Sequence, residues 1–376
     1  MLYSLKAFSK RNDSRRDKHL RRSARALGAL TLIRRRRRTT IQDVARLAGV
    51  SNGAVSLALS GQAGVADSTR ERIIAAADEL GWRPSIGARA LLSSRAFAVG
   101  LVVARDPELL GADPFFTSFI AGVESELAQR RYALVLQVVR DEPRAEAEAY
   151  RRLAQEGRVD GVFLTDLYLG DRRIDLVQEL ELPAVAIGSP SPAAPIPSVG
   201  IDDRVGVLEA VRHLLSLGHD RIAFVGGTEG YVHSADRLAA WQQAHEEAGA
   251  VPGRVVTADF TGSGGADATA ELLDGGIRPT AIVYANDLMA IAGMSVAAQR
   301  GIDVPGQLSV VGFDDIPLAA YLNPPLTTVG QDVLSWGRAA AAALLSLIED
   351  REVADTGLPP SKLVLRATTA PPAGSA

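Results

Sequence analysis

The sequence predicts an all-α helix-turn-helix headpiece followed by a two-lobed α/β core, in which each lobe is a doubly wound parallel sheet. Three observations predict this architecture. Residues 39–83 carry short amphipathic helical patterns. From residue 96 onward, near-continuous apolar strands alternate with helical patterns, as is typical of parallel sheets covered on both faces. A proline-rich stretch, GSPSPAAPIPS, divides that second region into two similar halves.

The headpiece is predicted to contain three short helices. In TTIQDVARLAGV, Thr40 and Asp43 have the spacing of a capping box, and apolar residues recur at helical intervals. Gly49 is expected to end this helix, and Ser51 to cap the next one, SNGAVSLALSG. In ADSTRERIIAAADELG, Ser68 is expected to cap the third helix. Because the first two helices are joined by a tight glycine turn, they form a helix-turn-helix unit.

The chain is predicted to have five segments. Pro84 breaks the helical pattern, and a short amphipathic piece, SIGARALLSS, precedes the first core strand. The segments are a basic, disordered N-terminal extension (1–38), the headpiece (39–83), a linker (84–95), the core (96–370) and a tail (371–376). Within the core, the first lobe is predicted to comprise residues 96–198 and 328–352, and the second lobe residues 199–327 and 353–370.

Charge is distributed unevenly along the chain. The net charge is −3, but residues 1–38 hold 14 Lys and Arg against 2 Asp, and residues 39–95 hold 6 basic against 5 acidic groups. The remaining residues hold 21 basic and 37 acidic groups. A basic end on an acidic body indicates a polyanionic partner at that end. The alternative is a solvated tail without a partner, because RRRRR at residues 34–38 follows no fold-like periodicity.

Several classes of protein are excluded by what the sequence lacks. There is no cysteine, and therefore no disulfide, thiolate metal site or cysteine nucleophile. No apolar run reaches the roughly 18 residues of a membrane span, and no secretory signal is recognisable, so we expect a cytoplasmic protein without a membrane partner. FVGGTEG only loosely matches a dinucleotide-binding turn, and metal-ligand spacing, a phosphate loop and a nucleophile elbow are missing. We therefore expect no enzyme activity, no cofactor and no metal.

The order of motifs resembles the LacI/GalR family of bacterial transcription regulators from Thr39 to about Pro371. The phrases that carry the resemblance are TTIQDVARLAGVS, ADSTRERIIAAADELGWRPS, DPFF, GRVDGVFL, IDDRVGVLEAVRHLLSLGHDRIAFVGG, ANDLMAIAG, LSVVGFDDIPLAAYLNPPLTTV and LVLRATT. The resemblance implies a hinge helix in the linker and a periplasmic-binding-protein-like core that binds a small effector between its lobes. It also implies a homodimer that binds double-stranded operator DNA, which we expect to be pseudo-palindromic.

The resemblance places DNA contacts in the second headpiece helix and in the hinge. In a helix-turn-helix, the N-terminal residues of the second helix reach base edges in the major groove. The predicted DNA-binding residues are Thr40, Ser51, Asn52, Gly53, Ala54, Ser56, Leu57, Ala88, Arg89 and Leu91. The family usually has Arg where this chain has Leu57 and Thr where it has Ala54, so we expect sparse base recognition. The alternatives are a helix-turn-helix that only packs, and a linker helix whose Leu91 packs on the core.

Polar and aromatic residues at predicted strand ends indicate the effector site, because ligands of such sheets bind beyond the carboxyl ends of the strands. Carboxylates and amides there suit hydroxyl-rich ligands. The predicted effector-binding residues are Phe115, Phe116, Asp166, Tyr231, His233, Arg237, Phe260, Asn286 and Asp314. Of these, Arg237, Phe260, Asn286 and Asp314 match lining positions of the family. Alternatively, each Phe packs in the core, and the neighbouring Asp287 and Asp315 cap helices.

These expectations combine into one function. We expect a cytoplasmic, nucleoid-associated repressor whose affinity for its operator is controlled by a sugar or sugar-like metabolite in the cleft. The same class of regulator responding to a nucleobase or nucleoside is the first alternative. A cytoplasmic sugar-binding protein without a regulatory role is the second.

Overall fold

The computed structural model describes residues 39–60, 64–82, 95–105, 110–111, 113–140, 142–188 and 194–373. These residues form two compact units, one within residues 1–93 and the other within residues 94–376. The predicted N-terminal extension (1–38) and nearly all of the linker lie outside the described residues. In the described part of the chain, no helix is both long and apolar enough to cross a membrane.

The first unit contains three helices around a small apolar core. They are α1 (Ile41–Ala48), α2 (Asn52–Ser60) and α3 (Asp67–Glu79). Their shared core consists of Val44, Ala45, Ala48, Val55, Ala58, Ile73, Ala76 and Ala77. The predicted first turn is present, because Gly49 adopts a φ of 65° after α1 and the Ser51 hydroxyl accepts a hydrogen bond from the Ala54 N–H at 3.2 Å.

One predicted helix start is wrong. Ser68 does not cap α3, because the helix begins one residue earlier, at Asp67. The Ala66 carbonyl accepts the first helical hydrogen bonds, from the N–H groups of Thr69 and Arg70, both at 2.9 Å. The negative charge of Asp67 in the first turn favours this start, since it faces the positive end of the helix dipole.

The second unit contains two six-stranded sheets, and each is the centre of one lobe. The strands of the first lobe are β1 (Ala98–Ala104), β2 (Ala133–Val139), β3 (Gly161–Leu164), β4 (Ala184–Ile187), β5 (Ser198–Gly200) and β11 (Thr356–Gly357). Its helices are α4 (Pro114–Arg130), α5 (Pro143–Gln155), α6 (Arg172–Glu179) and α11 (Val333–Ile348). The strands run in the order β11-β5-β4-β3-β1-β2, with parallel pairing throughout.

The second lobe repeats this design. Its strands are β6 (Ile222–Gly226), β7 (Val255–Thr257), β8 (Ala281–Tyr284), β9 (Ser309–Asp314), β10 (Thr327–Gly330) and β12 (Lys362–Val364). Its helices are α7 (Asp203–Ser216), α8 (Val232–Ala248), α9 (Gly262–Asp274) and α10 (Asp287–Gln299), with a 3-10 turn at Pro317–Tyr321. The strand order is β12-β10-β9-β8-β6-β7, and only the β10–β12 pair is antiparallel within this sheet.

The chain passes between the lobes three times, slightly later than the sequence predicted. The passages lie at residues 201–202, 331–332 and 358–361. The predicted lobe limits after residues 198, 327 and 352 are therefore wrong by a few residues. Strands β5 and β11 pair in the first sheet and β10 pairs in the second, as in the register Ile187↔Val199. The lobe to which a segment belongs depends on the sheet in which its strand pairs. The proline-rich pattern in the sequence does not reveal that pairing.

Close helix packing in the first lobe depends on two glycines. Helices α4 and α11 meet at Gly122 and Gly337, and a Cβ at either position would overlap backbone atoms of the other helix. The contact is therefore backbone against backbone, which only glycine permits.

This contact yields a stability prediction. We expect Gly337→Ala in the full chain to destabilise the core by roughly 1–3 kcal/mol, because the added methyl group forces the helices apart. Urea unfolding followed by circular dichroism measures the change. Gly276→Ala is the matched control, because a Cβ there meets nothing within 4 Å. Equal unfolding midpoints for the two variants would show that the helices separate without cost.

Candidate functional sites

A cavity of about 320 Å³ lies between the two lobes, at the carboxyl ends of the parallel strands. Both lobes contribute residues to its wall. The lining residues are Arg105, Asp113, Phe115, Thr165, Asp166, Leu167, Ile187, Gly188, Ile201, Asp202, Asp203, Arg204, Val232, His233, Asp236, Arg237, Phe260, Asn286, Asp314 and Trp336. Seven of the nine predicted effector residues are among them, so the rule that ligands bind at strand ends located the cleft.

An ion-pair cluster from the first lobe occupies one side of the cleft. Arg105, which directly follows β1, donates two hydrogen bonds to Asp166 at 2.8 and 2.9 Å and one to Asp113 at 3.0 Å. Its guanidinium carbon lies 5.1 Å from the ring centre of Phe116 and 5.8 Å from that of Phe260. Burial acts to raise the pKa of Asp166, but the charges and hydrogen bonds around it, chiefly those of Arg105, together lower the pKa.

A second buried ion pair comes from the other lobe. Arg237 in α8 binds Asp203 at 2.7 Å and donates a hydrogen bond to the Ala285 carbonyl at 2.6 Å. Its guanidinium carbon lies 3.6 Å from the ring centre of Phe313. The neighbouring His233 is neutral, because burial and the charge of Arg237 lower its pKa to about 3.

Asp314 presents a carboxyl group without a cationic partner among the described residues. It ends β9 with a φ of 110°, and one of its oxygens accepts a hydrogen bond from the Gln331 side chain at 2.9 Å. Burial raises the pKa of Asp314 well above its usual value, and the charge of Arg237 opposes that shift only in part. A group with this environment binds a hydrogen-bond donor or a proton readily.

Asn286 helps to shape the wall. Its side-chain oxygen caps α10 by accepting from the Met289 N–H at 2.9 Å, and its side-chain nitrogen donates to the Phe260 carbonyl at 2.9 Å. Phe260 has a φ of 65°, a left-handed conformation that non-glycine residues rarely adopt. Asn286 therefore holds the backbone that presents the Phe260 ring to the cavity.

Two predicted residues do not line the cavity. Phe116 is 1% exposed and packs in the core of the first lobe, where its ring lies against Arg105 and not in the lining itself. Tyr231 lies behind the wall, between Tyr168 and His233, with ring centres 4.9 and 5.3 Å away. The structure therefore places seven of the predicted effector residues in the lining and these two outside it.

Tyr231 instead connects the lobes. Tyr168 follows β3 in the first lobe and forms an isolated antiparallel bridge with Tyr231, which precedes α8 in the second. Two backbone hydrogen bonds hold the bridge: Leu169 N–H to the Gly230 carbonyl at 3.0 Å and Val232 N–H to the Leu167 carbonyl at 2.8 Å.

The neighbouring acids do not cap helices in the way that the alternative suggested. Asp287 is fully buried and accepts hydrogen bonds from the Thr328 hydroxyl at 2.6 Å and the Ile316 N–H at 2.9 Å. Burial raises the pKa of Asp287 to about 7. Asp315 forms an ion pair with Arg366 and is not a lining residue.

Sequence reasoning missed several lining residues, notably Arg105, Asp203 and Trp336. Arg105 follows a predicted strand, so the strand-end rule could have identified it. Asp203 lies just after β5, where the chain crosses to the second lobe, and that crossing was placed too early. Trp336 belongs to α11 and donates a hydrogen bond to the Val199 carbonyl at 2.7 Å, a long-range contact without a local sequence signal.

The predicted DNA-reading residues lie on one part of the headpiece. Thr40, Ser51, Asn52 and Gly53 are exposed, and Ala54, Ser56 and Leu57 are half-buried along α2. Val55 and Ala58 are buried and fix the opposite face of α2 to the other helices. The hinge residues Ala88, Arg89 and Leu91 lie outside the described residues.

Known proteins share both units. Residues 40–85 match the family described as bacterial regulatory proteins, lacI family, and residues 211–369 match the periplasmic binding protein-like domain. The chain is 35% identical to the HTH-type transcriptional regulator CelR of Thermobifida fusca over 84% of this chain and 93% of that protein.

Two solved structures have the same fold. The complex of the transcriptional regulator CelR with cellobiose has a TM-score of 0.68 at 32% identity, covering 88% of this chain and 100% of that one. The lac repressor dimer bound to operator and the anti-inducer ONPF has a TM-score of 0.76 at 30% identity, covering 89% of this chain and 100% of that one.

These similarities extend over the headpiece and both lobes, and they confirm the predicted fold class. They also confirm the prediction of a DNA-binding regulator rather than an enzyme. The chain belongs to the LacI family of bacterial DNA-binding transcriptional regulators.

Proposed function

We propose that the protein is a repressor whose operator affinity is controlled by a neutral, hydroxyl-rich effector, a sugar or sugar-like metabolite, bound in the cleft. One observation carries this proposal. Six aspartates line the cavity against three arginines, and each of those arginines already has a partner. An anionic ligand would have to compete with protein carboxylates for Arg105 and Arg237, and with the Gln243 side-chain oxygen for Arg204. Hydroxyl groups, in contrast, can donate to the carboxyl oxygens.

The shape of the wall supports the same ligand class. Phe115 and Trp336 contact each other edge to face, with ring centres 5.8 Å apart, and both line the first-lobe side of the cavity. Phe260 lines the opposite side. Aromatic faces on both sides suit the apolar faces of a pyranose ring, and the carboxyl groups between them suit its hydroxyl edge.

We assign roles to the lining residues on this basis. Asp314 and Asp236 accept hydrogen bonds from ligand hydroxyl groups, because each has a raised pKa caused by burial and gains from a donor. Arg237 donates to the ligand while Asp203 and Ala285 hold it in position. Asn286 positions the Phe260 ring through its hydrogen bond to the Phe260 carbonyl. Arg105 neutralises the negative charges of Asp113 and Asp166.

The similar proteins favour these assignments. CelR is solved with cellobiose, which is a neutral sugar of the proposed class.

The lac repressor is solved as a dimer on its operator, and we propose the same assembly here: a homodimer on a pseudo-palindromic duplex. We also propose that the protein acts in the cytoplasm, on the nucleoid. The effector controls DNA binding to the extent that its affinity differs between the DNA-competent and incompetent arrangements.

The Asp314 assignment is tested by Asp314→Asn. Asn keeps an oxygen for the Gln331 side chain but loses the charge, so we expect a loss of sugar affinity of roughly 1.5–3 kcal/mol. Calorimetric titration with cellobiose and a panel of neutral mono- and disaccharides measures it, together with their uronic acid and phosphate counterparts. Asp315→Asn is the matched control, since Asp315 pairs with Arg366 outside the lining.

Two results would contradict the proposal. Tighter binding of a uronate or sugar phosphate than of its neutral parent would show that an arginine is available to anions. Equal losses in the two variants would show that charge in this region, rather than contact at Asp314, determines affinity.

The reading helix is tested by Leu57→Arg. Leu57 lies half-buried in α2, and if it faces a thymine methyl, an Arg there should favour guanine at one position per half-site. The expected change in discrimination is roughly 1–3 kcal/mol. Selection from a randomised duplex library followed by sequencing measures it. Asn52→Ala is the comparison variant and should relax preference at a neighbouring position. An unchanged motif for Leu57→Arg would show that this side chain does not face the bases.

A further inference from the structure

The chain enters the core at Arg95, and two different elements hold it there. Asp160, which directly precedes β3, accepts hydrogen bonds from the Ala96 N–H at 2.6 Å and the Phe97 N–H at 2.8 Å, one with each carboxyl oxygen. The side chain of Arg95 is half-buried and donates to the Ile348 carbonyl at 2.9 Å. The first core residues are therefore fixed both to a strand of the sheet and to a helix.

The contact of Arg95 is at the carboxyl end of α11. Ile348 is the last residue of this helix and is 7% exposed. The last carbonyl groups of a helix have no partner within it and carry partial negative charge, so a guanidinium is a favourable partner for one of them. The neighbouring Glu349 pairs with Arg130 and Arg351. Arg95 therefore holds the chain to the helix end itself and not through a surface ion pair.

Both of these elements reach the effector cavity at their other ends. Thr165 and Asp166, directly after β3, line the cavity. Trp336, in the first turn of α11, lines it as well. From Trp336 to Ile348 the helix covers about 18 Å, because an α-helix rises by about 1.5 Å per residue. Each element thus connects the cavity wall to the point where the chain enters the core.

The two elements belong to different layers of the first lobe. β3 lies inside the sheet, whereas α11 packs backbone to backbone on α4 in the helical layer. A ligand that contacts Trp336 and Asp166 therefore contacts both layers. Any shift of the helices against the sheet moves Arg95 relative to Ala96 and Phe97, and so changes the direction in which the chain leaves the core.

We propose that Arg95 is a positioning residue for regulated DNA binding, because it makes the chain at the core entrance follow the helices that line the effector cavity. This inference rests on the proposed function, since it assumes an effector in the cavity and DNA at the headpiece. Asp160 ties the chain to the sheet and Arg95 ties it to α11. An effector that shifts one layer against the other changes the position from which the linker starts, by the difference in its affinity for the two arrangements.

The full chain carrying Arg95→Met tests this role. Methionine keeps an unbranched apolar stem but cannot donate to the Ile348 carbonyl. The operator is the duplex selected from the randomised library, and cellobiose is the effector probe. We expect saturating cellobiose to change operator affinity by about five-fold or more in the unmodified chain and by less than about two-fold in the variant. Cellobiose affinity without DNA, measured by calorimetry, should be the same in both.

Arg278→Met is the matched control. Arg278 donates to the Leu273 carbonyl at 3.0 Å, in the last turn of α9, and does not line the cavity. Its loss removes the same kind of contact and should leave the effect of cellobiose on operator affinity unchanged. Arg95→Lys keeps a positive charge and a donor, so it should retain most of that effect.

Amide hydrogen exchange gives a second readout that needs no effector. Because coupling between two sites is reciprocal, operator binding to the unmodified chain should change exchange in residues 160–166 and in α11. Arg95→Met should abolish the change in α11. The change in residues 160–166 should persist, because Asp160 still holds Ala96 and Phe97.

Each outcome decides the proposal. An undiminished effect of cellobiose on operator affinity in Arg95→Met would overturn it, as would an equal loss in Arg278→Met. A loss of cellobiose affinity without DNA in Arg95→Met would also overturn it, because Arg95 would then act on the cavity. If no neutral saccharide binds the unmodified chain, the proposed effector class is refuted, and exchange alone decides the role of Arg95. In that case, a change in α11 that persists in Arg95→Met would overturn the proposal.

Discussion

Burial of negative charge in the cleft is the constraint on which the rest of the core depends. Parallel strands from two sheets end at one cavity, and six aspartates line it. Carboxylates removed from water must be paired, hydrogen-bonded or protonated. Arg105 and Arg237 compensate three of them from opposite lobes, and both stack on phenylalanine rings. Because both cations are already paired, an anionic ligand would have to displace a carboxylate from either of them.

The backbone around this cavity is held in conformations that most residues avoid. Asp166, Phe260 and Asp314 have φ values of 48°, 65° and 110°. Each of these residues accepts a hydrogen bond from a side chain outside its own turn: Arg173 donates to the Asp166 carbonyl, Asn286 to the Phe260 carbonyl and Gln331 to the Asp314 side chain. Such conformations persist only where the surroundings over-determine them. The wall is therefore pre-organised, which reduces the ordering cost of ligand binding.

The sequence predicted what depends on local pattern. Strand periodicity identified both sheets, and the strand-end rule located Asp166, Asn286 and Asp314 at the cleft. It was wrong where the outcome depends on long-range geometry. Phe115 and Phe116 are adjacent in one helix, yet only Phe115 lines the cavity, because the rotation of α4 against the sheet decides which ring turns inward. Trp336 was missed for the same reason, since helix α11 reaches the first lobe only after the chain has crossed between the lobes a second time.

The contacts across the cleft indicate how a ligand could be coupled to the DNA-binding end. Arg105 of the first lobe stacks on Phe260 of the second, and the Tyr168–Tyr231 bridge adds two backbone hydrogen bonds. A ligand between these residues contacts both lobes and biases their relative arrangement, but only by the difference in its affinity for the arrangements. The first lobe begins at β1, the first core element after the linker, so the headpiece is connected along the chain to this lobe.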